Sequence, residues 1–183
     1  MFLRDGYAGA SVDVIAREAG VSKATLYSHF RSKEDLFGAI ICQQCSRFVV
    51  EAQTADVMTA DPALVLRNLG QSFLENLLTP HMLALYRVVA AEAHRFPALG
   101  RTVQESGPGP AKASLAGYFR DLTRQGRLRV KQPEIAADQF FGALLGGIHI
   151  RQVLAVEKAP NRRMIESWVE YAVSAFLAAH RPK

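Results

Sequence analysis

The stretch from Ser11 to Leu36, SVDVIAREAGVSKATLYSHFRSKEDL, limits most strongly what this chain can become. Val12, Ile15, Ala16 and Ala19 recur at helical spacing and give one apolar face. Ser11 stands just ahead of them, where its side-chain oxygen suits the first free amides of a helix. Gly20 follows. Lacking a β-carbon, it can take the left-handed conformation that ends a helix. Ser22 then opens a second short helix, Lys23 to His29, with Val21 and Leu26 on its buried side and Phe30 packing inward at its end. Ser32 caps a third helix, with Asp35 at the capping-box position.

Two short helices joined by a tight glycine turn form the helix-turn-helix plan, whose second helix enters the major groove of DNA. Lys23, Thr25, Tyr27 and His29 put donors and planar groups on the free sides of that helix. Lys23 and Thr25 are placed for base edges. Tyr27 and Lys33 suit phosphates, Lys33 together with the amides that open the third helix. Ser11, Ser22 and Ala24 complete the expected contact set. The net charge of +5 permits a polyanionic partner without requiring one. From Met1 to Phe37 five basic residues meet five acidic ones, so the positive charge is local: Ser22 to Lys33 holds Lys23, Arg31 and Lys33 and no acid.

The pattern SV-x-x-IA-x-x-AGVS-x-x-TLY-x-HF-x-SKE-x-L resembles the DNA-binding signature of the TetR family of transcriptional regulators, over about 30 residues and in the family's order and spacing. FLRDGYAG resembles the end of that family's first helix, and EAHRFP and GALLGGIH are similar to the AefR-like subgroup. Met1 falls inside the expected first helix, and the basic arm often found before it is absent. The reading is therefore of a truncated helix of about two turns that packs poorly over Val12 and Ile15.

The rest of the chain reads as helix throughout, with no strand-like alternation. The class is all-α: a helix-turn-helix DNA-binding head over residues 1–48 and a larger helical ligand-binding and dimerisation body over 49–183. Leu36, Phe37, Ile40, Ile41, Cys45 and Phe48 form a long stripe reaching about Ala52, followed by a polar loop from Thr54 to Asp61. Asp61-Pro62 starts a helix with Leu66, Leu69, Phe73 and Leu77 inward, and Pro80 starts the next. Ser106 to Pro110 reads as a loop, and Leu115, Tyr118, Phe119 and Leu122 as the inner face of a helix from about Ala111 to Gln125. Pro133 opens a long helix, and Asn161 caps a last one.

Phe73, Leu77, Tyr86, Val89, Tyr118 and Phe119 could line a pocket for a small, largely apolar molecule, with Glu92 and His149 as polar members. His149 reads equally as a hydrogen-bonded core residue, and Glu92 as one partner of an arginine. Gly142, Gly146 and Gly147 are unfavourable in a helix and suit close helix–helix approach. In TetR-like proteins the last two long helices pair with their copies. That resemblance implies a dimer interface through Gly142, Gly146, His149, Trp168, Tyr171 and Phe176, against the alternative of packing within one subunit. The basic run from Arg120 to Lys131 reads as a solvated helix end rather than a second nucleic-acid patch.

Cys42 and Cys45 lie at i and i+3 of a helix, which disfavours a disulfide, and two thiols cannot complete a thiolate zinc site. No metal and no cofactor are expected. Motifs of hydrolases, metalloproteases and nucleotide-binding enzymes are absent, so the chain is read as not an enzyme. No apolar run is long enough for a membrane and no signal peptide opens the chain, which gives a cytoplasmic expectation. The resemblance implies a homodimeric regulator, most often a repressor, that binds double-stranded DNA at a palindromic operator and is released by a small apolar effector. Two alternatives stand beside it. One is a DNA-binding dimer governed by thiol redox or a partner protein. The other is an all-α module or enzyme that keeps the head only as structure.

Overall fold

The computed structural model describes residues 1–51 and 58–182, with side chains described outside 44–51. The described residues are helical with no strand. The head contains α1 (Phe2–Gly9), α2 (Val12–Glu18), α3 (Lys23–His29) and the start of α4 (Lys33–Glu51). The body contains α5 (Pro62–Leu77), α6 (Pro80–Glu92), α7 (Pro97–Ser106), α8 (Pro108–Arg124), α9 (Pro133–Val153) and α10 (Arg162–Ala179). Five of these helices, α5 to α9, begin with proline in the first turn, where a missing N–H costs nothing.

Local chemistry sets most helix ends. Gly20 takes φ +69° after α2. Ser22 accepts from the Thr25 amide at 3.0 Å, and Ser32 from the Asp35 amide at 3.1 Å. Asp61 and Asn161 cap α5 and α10 in the same way. The Asp35 carboxylate turns instead to Arg31, so only half of the reciprocal capping box forms. Ser11 is the N-cap of α2 by position, but its side chain makes no capping bond.

Two clusters bury the apolar surface. The larger lies in the body among α5, α8, α9 and α10, centred on Leu66, Phe119, Phe140, Leu144 and Val173. The smaller joins head to body: Phe2, Tyr7, Phe37 and Ile41 meet Met82, Leu85 and Leu99. Phe2 and Tyr7 stack on each other at 5.9 Å, and both meet the Phe37 ring edge-on, at 4.9 and 5.8 Å. Tyr7 also meets Phe96 at 5.3 Å. The α4 backbone approaches α7 closely at Gly38, where a β-carbon would overlap the Thr102 methyl and lie 3.0 Å from the Ser106 hydroxyl.

Several expectations are corrected here. The short α1 finds its packing away from α2: it turns at Gly6 (φ +72°) and buries Phe2 and Tyr7 against α4 and α6, with Ile15 at the edge of that cluster. The loop expected at Ser106 to Pro110 shrinks to Gly107, because Pro108 starts α8 directly. Val21 is exposed and Ala19 too, leaving Ala16 and Leu26 as the buried contacts of α2 and α3, while Phe30 is half-buried. The basic run is largely exposed, as a solvated helix end should be, with Arg127 alone of its basic residues half-buried. Arg120 pairs with Glu134 and Arg124 with Asp121, and Arg127 donates to the carbonyls of Met58, at 2.6 Å, and Ala60. The expected side chains of Cys45 and Phe48, and the loop from Thr54 to residue 57, lie outside the described residues.

Phe37 has no solvent exposure and holds both aromatic partners of α1. Phe37→Ala should lower unfolding free energy by about 3–5 kcal/mol, read from urea denaturation of the full chain by circular dichroism.

Candidate functional site

The outward face of α3 is almost wholly free. Lys23, Ala24, Thr25, Tyr27, Ser28 and His29 are exposed, and Leu26 alone is buried. The same turn of chain that caps the helix also orients Thr25: its hydroxyl lies 2.8 Å from the Ser22 hydroxyl, and its carbonyl accepts from Ser28 at 2.7 Å. Lys23 reaches back to Asp13 of α2, with Nζ 2.8 Å from the carboxylate. These solvent-exposed pairs are worth little energetically and can be exchanged for a phosphate or a base edge.

Lys33 differs. Its ammonium donates to the Ala8 carbonyl at 3.2 Å and sits 4.7 Å above the Tyr7 ring. Partial burial pushes its pKa down, opposed by the charges of Glu34 and Glu92. The Tyr7 hydroxyl beside Glu34 holds that carboxyl below its ordinary range, while burial pushes Tyr7 up. Ser11 is half-buried at the start of α2, in the same head.

A cavity of about 400 Å³ opens in the body, bounded by α4 to α9. Five of the eight expected ligand residues line it: Phe73, Leu77, Tyr86, Val89 and His149. Phe73 meets Phe141 edge-on at 4.9 Å, and Tyr86 meets His149 edge-on at 4.6 Å. Three expected residues are not there. Tyr118 and Phe119 lie further along α8 in the body core, where Phe119 stacks on Phe176 at 4.6 Å. Glu92 sits at the last turn of α6, 3.7 Å from Arg95. The turn of α8 that does reach the cavity carries Ala111 and Lys112. Ile41, Val103, Gln104 and Leu145 line it as well. Val103, Gln104, Ala111 and Lys112 flank the α7–α8 junction, which the Gly-Pro-Gly-Pro run disguises as a loop, while Ile41 and Leu145 join them from α4 and α9.

His149 is 7 % exposed, and its Nε2 has no hydrogen-bond partner. Burial pushes its pKa below the ordinary value. Three residues earlier, α9 leaves helical geometry at Gly146 (φ +36°, ψ −146°). The Trp168 indole N–H covers the break, donating to the Ala143 and Leu144 carbonyls at 3.2 and 3.0 Å. A β-carbon on Gly146 would lie 2.7 Å from the Trp168 ring.

The outer faces of α9 and α10 carry much of the exposed apolar surface. Gly142, Gly146 and Ile150 are exposed on α9, at its break and on either side of it; Met164, Trp168 and Tyr171 follow one side of α10. Tyr171 is 80 % exposed and Trp168 half-buried. The other two expected interface residues point elsewhere. Phe176 is buried in its own subunit's core and His149 faces the cavity. Cys42 is an exposed free thiol, and the side chain of Cys45 lies outside the described residues. Among the described residues no group of His, Cys, Asp and Glu is placed to hold a metal ion, and no helix is long and apolar enough to cross a membrane.

Comparison with known proteins agrees with this geometry. Residues 1–40 match the family model described as bacterial regulatory proteins, tetR family, and residues 64–182 match the C-terminal domain of AefR-like transcriptional repressors. A crystal structure of a TetR-family regulator from Mesorhizobium loti MAFF303099 superposes with a TM-score of 0.82 at 31% identity, over 98% of this chain and 91% of that one. The Flavonoid-responsive Regulator FrrA superposes at 0.80 and 32% identity, over 100% and 92%. The uncharacterized HTH-type transcriptional regulator YvkB of Bacillus subtilis (strain 168) is 26% identical over 169 residues, 91% of this chain and 86% of its own.

Because burial depresses the His149 pKa, the unfolded chain binds its proton more readily than the folded one. The resulting stability is complete above the unfolded value of 6.5 and is lost as pH falls through the lower folded value. Urea midpoints measured from about pH 7 down to about pH 5 should therefore fall more steeply for the native chain than for His149→Gln.

Proposed function

This chain belongs to the TetR family of transcriptional regulators, and from that premise we propose that it is a homodimeric repressor released from a palindromic operator by a small, largely apolar effector. The head, 1–48, reads DNA; the body, 49–183, binds the effector and the second subunit. The observation that carries this reading is that α4 belongs to both. Lys33 opens it beside the DNA-facing helix, and Ile41, about two turns on, forms part of the cavity wall. An effector that displaces Ile41 tilts α4 and moves α3 with it.

Each α3 enters a major groove, and two heads meet half-sites about 34 Å apart. Lys23 and Thr25 read base edges. Tyr27, His29 and Lys33 meet the backbone, with Ser11, Ser22 and Ala24 at the margins of the contact. The effector occupies the cavity against Phe73, Leu77, Tyr86, Val89 and His149. Differential affinity for the two head spacings, of about 1–3 kcal/mol, is enough to shift operator occupancy. The second subunit packs on the α9–α10 face through Gly142, Gly146, Trp168 and Tyr171. The match to AefR-like repressors supports the repressor sign.

Operator sequences selected from a random DNA pool should be palindromic. On such a site, Thr25→Ala and Lys23→Ala should lose about 1–3 kcal/mol at the base each reads and tolerate its replacement. Tyr27→Ala should weaken all sequences alike. Selection of no sequence would refute the DNA reading, and effector-independent occupancy across a broad compound library would refute the release mechanism. Tyr171→Asp should shift the chain from dimer to monomer in sedimentation, with near-native circular dichroism and weaker operator binding.

A further inference from the structure

Resting on the reading of the cavity as the effector site, we propose that His149 is the polar anchor of that site, and that the effector is a neutral ring compound carrying a hydrogen-bonding hydroxyl or carbonyl group toward its Nε2. The imidazole is more than nine-tenths buried, borders the cavity, and leaves Nε2 without a partner. Buried polar groups of this kind are normally satisfied, and an unsatisfied one bordering a cavity marks the place where a bound molecule supplies the bond. The imidazole stands against the Tyr86 ring, edge to face, at 4.6 Å and 88°. Its place in the wall follows from the break in α9 at Gly146, which Trp168 holds by filling the space and bonding the two freed carbonyls.

The remaining wall chooses the rest of the molecule. Phe73, Phe141, Leu77 and Val89 offer aromatic and aliphatic faces suited to flat rings. Among the described residues Lys112 is the one charged side chain in the lining, where it pairs with Asp138, and no carboxylate lines the cavity. An anionic effector would have to draw Lys112 away from Asp138, and a cationic one would meet no counter-charge among the described lining residues. A neutral one leaves that pair intact, so the site favours it. A cavity of about 400 Å³ has room for a compound of two or three rings.

Three matched probes test this on the full chain by calorimetry without DNA: para-hydroxybiphenyl, para-methylbiphenyl and biphenyl para-carboxylate. The hydroxyl compound should bind about tenfold tighter than its methyl isostere, which leaves Nε2 unpaired. The carboxylate should bind most weakly. The hydroxyl preference should vanish in His149→Leu and survive in part in His149→Gln. Equal binding of hydroxyl and methyl, a preference that persists in His149→Leu, tightest binding of the carboxylate, or no binding of any probe each overturns the assignment. Should His149→Leu fail to fold, the nitrogen resonances of the native imidazole decide. A shift of Nε2 with the hydroxyl probe and none with the methyl one supports the anchor, and no shift overturns it. Operator release is scored separately by fluorescence anisotropy. His149-dependent binding without release refutes the repressor switch and supports the anchor, whereas release that ignores His149 overturns the anchor and leaves the switch standing.

Discussion

The contact between α4 and α7 at Gly38 governs the rest of the structure. With no side chain at that position, the two backbones come near enough for the Thr102 methyl to occupy the space a β-carbon would need. On the neighbouring position Phe37 is fully enclosed by Phe2, Tyr7 and the body's Met82, Leu85 and Leu99. Head and body therefore share one cluster, and α4 cannot slide without moving α7. Close-packed interiors respond to such a push by shifting whole elements rather than by yielding locally. A helix seated this way transmits displacement, and α7 itself contributes Val103 and Gln104 to the cavity.

The same arrangement explains why so small a head remains ordered. The helix-turn-helix offers few buried contacts of its own, chiefly Ala16 and Leu26. Its stability comes from α1 and α4, whose aromatic residues are anchored in the body. Helix α3 is then free to keep nearly every side chain in solvent, because its position is fixed by neighbours rather than by its own burial.

What the sequence disclosed and what it concealed divide along the range of the forces involved. Gly20, Ser22, Asp61 and Asn161 act within a few residues, and the helices they bound could be read directly from the chain. The helical class and the exposed side of α3 followed from spacing in the same way. Properties that depend on a distant partner were less legible. Tyr118, Phe119 and Phe176 have the residue types of a pocket or an interface, yet they fill the body core around one another. Val21 is apolar but has no neighbour to cover it. The Gly-Pro-Gly-Pro run carries loop chemistry, but Pro108 falls where a helix accepts proline, and a helix starts. Phe73, Leu77, Tyr86 and Val89 reach the cavity at the spacing of regular helices, whereas His149 reaches it past the break in α9 at Gly146. Ile41 and Lys112 were missed because their role depends on how helices from both ends of the chain converge.

Lys33 carries one more consequence. In the free protein its ammonium is already held between the Ala8 carbonyl and the Tyr7 ring. The long side chain has surrendered much of its motion during folding, so little mobility is left to lose when a nucleic acid arrives. A phosphate arriving at Lys33 would have to displace a carbonyl and an aromatic face that stay in reach. Contact there would be an exchange of partners rather than the capture of a loose charge, with release the reverse of docking.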